Sequence, residues 1–265
     1  MPGQPHAALT YGSYLKLDEL LSLQEPRSDG PEHDEMLFIV IHQVYELWFK
    51  QVLHEMDALQ RAFEKSDVPG ALAGLNRVRT ILKTLVSQVD ILETMTPVSF
   101  SSFRSRLDAA SGFQSAQFRE LEMILGRRHR HVYAHMPEGS ARDRLEARHA
   151  SPTLWDAFLK LLASQGHDVP AEVLARDVRE PYEPNAAVQE TLVAIYRKDF
   201  GLMQLCERMV DIDEGLQEWR YRHVKMVERT IGTKTGTGGS AGAEYLKQTI
   251  FKPHFPDLWA IRASL

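Results

Sequence analysis

Two histidines stand out by their company. His42 falls on an apolar helical stripe with Phe38, Tyr45 and Phe49, and His223 falls on another with Leu216, Trp219, Met226 and Val227. Each is the one polar member of its stripe, while Arg220, Arg222, Lys225 and Arg229 fall on other faces of the second helix. Imidazole can be neutral near pH 7 and can then ligate a metal or accept a proton. A hydrogen-bonded core histidine is the commoner fate of one such residue. Two on separate long helices admit a second reading, an interhelical pocket for haem, with one imidazole on the iron and the other facing its open side. Two helical turns after His223, from Ile231, the chain enters IGTKTGTGGS, a run rich in glycine and threonine.

That run does not carry the phosphate chemistry it superficially suggests. Counting from Gly232, the second glycine of a Walker loop would have to stand at Thr237. Gly236 to Ala241 fits the loose dinucleotide pattern, but that pattern needs a preceding strand and a parallel sheet, and here a helical run precedes it. A flexible linker and an anion cradle, with N–H and hydroxyl donors brought close to a carboxylate, both remain open. Among the 11 histidines no His-Glu-x-x-His occurs, since Ala58 stands where His54-Glu55 would need its partner. Glu146-x-x-His149 is one copy of a motif that di-iron bundles use twice, in an arginine-rich stretch, and reads as chance.

The elements that must hold these residues are helical. Three- and four-residue spacing gives two apolar stripes from His33 to Phe63: Leu37, Ile41, Val44, Trp48, Val52, Leu59, Phe63, and Phe38, His42, Tyr45, Phe49, Leu53, Met56. Two stripes on one helix predict a central position. Asp29-Gly30-Pro31 and the acidic Glu32, Asp34 and Glu35 suit its N-terminus, where negative charge complements the helix dipole. A second long helix is predicted over Gly70–Glu93, ended by Thr96-Pro97. Shorter ones are predicted over Gln114–Leu125, Thr153–Ser164 and Ala171–Asp177, then longer ones over Ala186–Val210 and Leu216–Ile231, with a helical segment over Ala243–Phe251. No strand pattern and no internal repeat is present. The basic run Arg127 to His131 reads as a solvated helix end. The expectation is an all-α helical bundle with a haem pocket between long helices: one domain over residues 33–265, preceded by an arm over 1–32 that docks elsewhere or onto a neighbour.

The bulk numbers fit this picture. Of 265 residues, 43% are hydrophobic and 25% charged, as in an ordinary globular protein. With 31 basic and 36 acidic residues the net charge is −5, against a general nucleic-acid binder. A single cysteine, Cys206, permits neither an internal disulfide nor a thiolate zinc cluster. No run reaches the ~18 apolar residues of a membrane span, and the N-terminus lacks a signal-peptide pattern, so a cytoplasmic, non-membrane protein is expected.

Several long strings then converge. LTYGSYLKLDELLSLQ, HDEMLFIVIHQVYELWFKQ, TPVSFSSFRSRLDAASGFQS, WRYRHVKMVERTIGTKTGTGGS and FPDLWAIR occur in order across nearly the whole chain. Together they resemble the tryptophan 2,3-dioxygenase family. The resemblance implies a homotetrameric all-α enzyme with one ferrous haem b per subunit. Such an enzyme uses dioxygen to open the indole ring of L-tryptophan to N-formylkynurenine, the first step of the kynurenine pathway. It implies His223 as the proximal haem ligand, His42 as the distal histidine beside the indole nitrogen, and Ser111 and Gly112 of SGFQS on the cofactor. It also implies Arg104 on the substrate carboxylate, Thr237 on the amino-acid end, Phe38 along the indole, and Tyr11, Tyr14 and Leu15 reaching in from a neighbouring subunit. Phe100 stands where some members have tyrosine, which removes a hydroxyl beside the carboxylate and keeps the shape.

The chemistry agrees with the resemblance. A neutral imidazole suits ferrous haem, and arginine's planar fork suits a carboxylate. Three other readings remain at this point: a relative of the same fold with different indole chemistry, a haem sensor without turnover, and a haem-free helical module. A sensor would need His223 but neither Arg104 nor Thr237.

Overall fold

The structure is a computed structural model that describes residues 8–30, 32–107, 110, 112–128, 131–134, 136–234, 246–247 and 249–265. Among these the chain is helical and forms no strand. Two short helices, α1 (Tyr11–Leu15) and α2 (Leu17–Leu21), precede the long α3 (His33–Glu64) and α4 (Val68–Leu92). Then come α5 (Pro97–Arg104), α6 (Ala116–Ile124), α7 (His131–Ala134), α8 (Ser140–His149), α9 (Leu154–Ser164) and α10 (Ala171–Leu174). The series closes with α11 (Ala186–Lys198), α12 (Phe200–Ile231) and α13 (Pro256–Ala260).

Polar side chains at the ends set these boundaries. Asp67, Thr96, Ser115, Thr153, Asn185 and Asp199 each accept a backbone N–H from the first turn of the following helix. Pro97 therefore opens α5 as its first residue, as well as ending what precedes it. Asp199 divides the segment expected as one helix over Ala186–Val210. From Phe200 a single helix runs on to Ile231, through the break expected before Leu216. What keeps it intact is Asp213, fully buried, whose carboxylate accepts the backbone N–H groups of His254 and Phe255 and the Trp259 Nε1–H.

α4 is the shared floor of the bundle, with α3 and α12 packed on it more closely than on each other. The main core joins Val52, Met56, Leu59 and Phe63 of α3 with Leu75, Val78 and Leu82 of α4. Trp155 and Phe158 of α9 and Leu205, Met209 and Ile212 of α12 complete it. Each large side chain buried there contributes about 1.5–3 kcal/mol of transfer free energy. α5 touches both α3 and α12, at the end of the bundle that carries His42 and His223.

The first two arginines of the basic run are not solvated. Arg128 is buried and Arg127 partly so; Arg128 donates to the carbonyls of Arg148, His149 and Ser151, and Arg127 to those of Thr249 and Lys252. These arginines cap carbonyls at the end of α8 and in the C-terminal segment. Among the described residues no helix is long and apolar enough to cross a membrane.

Candidate active site

His42 sits on α3 with its tautomer set by the helix. Its Nδ1–H donates to the Phe38 carbonyl one turn back, at 2.7 Å, which leaves Nε2 as a bare acceptor. The Phe38 ring lies against it, centroids 4.1 Å apart. Burial pushes its pKa down, opposed by the hydrogen bond to Phe38 and by the charge of Glu46, so it is neutral at pH 7.

His223 sits on α12 under stronger desolvation. Burial pushes its pKa down to about 4, and the charge of His42 acts in the same direction. The two histidines therefore feel each other across the gap between α3 and α12. Both keep some accessible surface although enough protein surrounds them to penalise charge. The His223 ring stacks on Trp219, one turn earlier, with centroids 5.2 Å apart and planes 6° from parallel. Among the described residues neither ring nitrogen of His223 has a hydrogen-bond partner. It is a neutral, unsatisfied donor, the form that binds iron. One imidazole suits a metal already held by a macrocycle, and among the described residues no cluster of three or more His, Cys, Asp or Glu side chains could hold a bare ion.

The wall beside the histidines is a second, smaller core. Ile41, Leu92, Met95, Phe100 and Phe103 are buried there, with Phe38, Tyr45, Met226 and Ile231 packed around them. Phe38 lies 5.8 Å from Phe100 and 5.6 Å from Phe103, so α3 and α5 together form an aromatic face. Arg104 ends α5 half-buried, one residue past Phe103.

The structure thus brings Phe38, His42, Phe100 and His223 to one end of the bundle, with Arg104 on the helix that closes it. Gly112 lies exposed in a short 3-10 turn before α6. Tyr11, Tyr14 and Leu15 lie on α1, 77%, 72% and 41% exposed, and are not brought to the site within this chain. Ser111 and Thr237 lie outside the described residues, as do 243–245 and 248 of the segment expected to be helical over Ala243–Phe251, in which Leu246 and Lys247 are helical and 249–251 form a turn. Trp219 and Phe103 carry no assigned role in the sequence reading. Their signals are four-residue spacing from His223 and three-residue spacing from Phe100.

A sequence profile described as tryptophan 2,3-dioxygenase matches residues 4–160 and 149–265. The chain belongs to the tryptophan 2,3-dioxygenase family. Among its relatives, a tryptophan 2,3-dioxygenase of Anaeromyxobacter sp. (strain K) is 60% identical over all of this chain and 99% of its own length. One of Herpetosiphon aurantiacus is 57% identical over 97% of this chain and 99% of its own. One of Anaeromyxobacter dehalogenans is 58% identical over all of this chain and 99% of its own. As a member of this family the chain is an oxidoreductase, and the family is haem-dependent.

Proposed function

We propose that the two neutral histidines are the proximal and distal sides of one haem b site, in an enzyme that cleaves the indole C2–C3 bond of L-tryptophan with dioxygen. The product is N-formylkynurenine, the first step of the kynurenine pathway. The observation that carries the residue roles is the pairing of His42 and His223 across α3 and α12, both held neutral by burial.

In this reading His223, its ring stacked on Trp219, would hold the haem iron through one ring nitrogen. When bound, the haem supplies the oxygen chemistry, and the protein supplies orientation. His42 presents Nε2, which accepts the indole N–H; the bond from its Nδ1–H to Phe38 keeps that nitrogen unprotonated. Phe38 and Phe100 line the indole and the side of the amino-acid end. Arg104 pairs with the carboxylate through two parallel hydrogen bonds, and Thr237 contacts the same end. Ser111 and Gly112 would contact the cofactor, as the family resemblance implies. Fixing the indole ring against the reactive centre converts an encounter into an oriented step.

Residues 33–265 form the catalytic domain, and the arm over 1–32 brings Tyr11, Tyr14 and Leu15 to a neighbouring site in a cytoplasmic homotetramer. Support for the arm is its surface. Helices α1 and α2 bury nothing, while Leu9, Tyr11, Tyr14, Leu21 and Leu23 are well exposed. The test is direct. The purified, reduced protein is given L-tryptophan and air, and the Soret band is followed with the near-ultraviolet absorbance of N-formylkynurenine. Product formation with haem-dependent rate is expected; haem uptake without product would leave a binding protein and overturn the reading.

A further inference from the structure

Tyr45 lies one turn beyond His42 on α3, and its side chain meets both other long helices. Its hydroxyl donates to the Leu85 carbonyl of α4 at 2.7 Å. Its ring faces that of Trp219 on α12 edge-on, centroids 6.2 Å apart and planes at 64°. Trp219 is the ring on which His223 stacks, and Phe49 and Phe118 close its other sides at 6.3 and 5.0 Å. The indole Nε1–H of Trp219 is buried and has no hydrogen-bond partner among the described residues. Burial pushes the Tyr45 phenol up to about 12, so it stays a neutral hydroxyl. With its proton committed to the Leu85 carbonyl, the Tyr45 ring is fixed against the Trp219 ring.

From this arrangement we propose that Tyr45 is a positioning residue for the proximal histidine: its ring, anchored through its hydroxyl on α4, packs edge-on against the Trp219 indole and holds it in the plane that orients the His223 ring. No hydrogen bond among the described residues fixes that ring, so the stack is what sets its rotation about the helix. In haem proteins the partners of a ligating histidine tune its bond to iron as much as its presence does. Tyr45 acts through Trp219 and does not touch substrate. The proposal rests on His223 being the haem ligand.

The experiment is a double-substitution cycle on the haem-loaded protein with Tyr45→Phe, Trp219→Phe and the two combined. It is read by the iron–histidine stretching band of the ferrous form and by kcat and KM for L-tryptophan. Tyr45→Phe should retain haem, shift the iron–histidine band, and lower kcat roughly tenfold with KM little changed. Trp219→Phe keeps a stacking ring and removes most of the indole edge that the Tyr45 ring packs against, so adding Tyr45→Phe to it should change band and kcat little further. A wild-type band and kcat in Tyr45→Phe, or strictly additive effects in the cycle, would overturn the proposal. So would a loss of thermal stability with no spectroscopic change, the mark of a purely structural hydroxyl. His223→Ala run alongside separates the two levels: if it retains haem with an unchanged spectrum, the ligand assignment itself fails.

Discussion

In α3 the buried apolar residues crowd into Phe49–Phe63, and in α12 into Leu202–Leu216; the ends that carry His42 and His223 bury far less. The same two helices thus form a dry core at one end and a site wall at the other. At the core end, α4 and α9 fill the space between them with side chains such as Leu75, Leu82, Trp155 and Phe158. At the site end, α5 covers the space with Phe100 and Phe103, and half-buried aromatic and imidazole rings face inward. Length explains the division of labour. Each of these helices has 32 residues, so each is anchored over half its length while the other half holds unsatisfied groups in fixed positions.

Substitutions at the two ends should therefore fail in different currencies. Phe158→Ala, deep in the core, should cost about 3–5 kcal/mol of stability, read by urea unfolding. The folded fraction should take up haem with unchanged affinity, and a parallel loss of haem affinity would erase the distinction between the ends. Arg104→Leu should do the reverse, weakening L-tryptophan binding by on the order of 3 kcal/mol as the carboxylate loses its partner, with a near-normal unfolding midpoint. Titration of the Soret band with L-tryptophan measures this. His42→Ala should lower turnover by about tenfold and leave haem content intact, because the ring orients the indole and carries no covalent chemistry. Complete loss of activity with normal haem and tryptophan binding would contradict that.

The smallest effect tests the seam between the ends. His254 is buried, its Nδ1–H donating to the Leu125 carbonyl and its Nε2 facing Arg220, with Arg127, Glu122 and Asp213 around that arginine. Burial, reinforced by the charges of Arg220 and Arg127, holds its pKa well below 6.5. The unfolded chain then binds more protons than the folded one just below pH 6.5, so stability falls as pH is lowered through that range. His254→Gln should flatten that part of the slope in urea unfolding measured from pH 7 downward.

Much of this was visible in the sequence, for physical reasons that vary by residue. His42 and His223 were legible because a polar residue alone on an apolar helical face must have a partner or a purpose. The continuity of α12 was not, since Asp211, Asp213, Glu214 and Gly215 look like a solvated break. The groups that neutralise Asp213, the backbone of His254 and Phe255 and the Trp259 ring, come from 41 to 46 residues away. The burial of Arg127 and Arg128 escaped for the same reason: their partners are backbone carbonyls, which no side-chain pattern announces. The aromatic wall of Phe38, Phe100 and Phe103 needed the packing of α5 on α3. The resemblance named two of its members, and spacing could have supplied the third.

The central claim is that His223 holds the iron on the proximal side of a site whose other wall carries His42. His223→Gly, loaded with haem in the presence and absence of free imidazole, tests it most directly through haem-to-protein ratio and the spectrum of the reduced protein. The account predicts poor haem retention without imidazole, and recovery of occupancy and of a wild-type-like spectrum when imidazole takes the vacated place. Full haem occupancy with an unchanged spectrum in the absence of imidazole would contradict it.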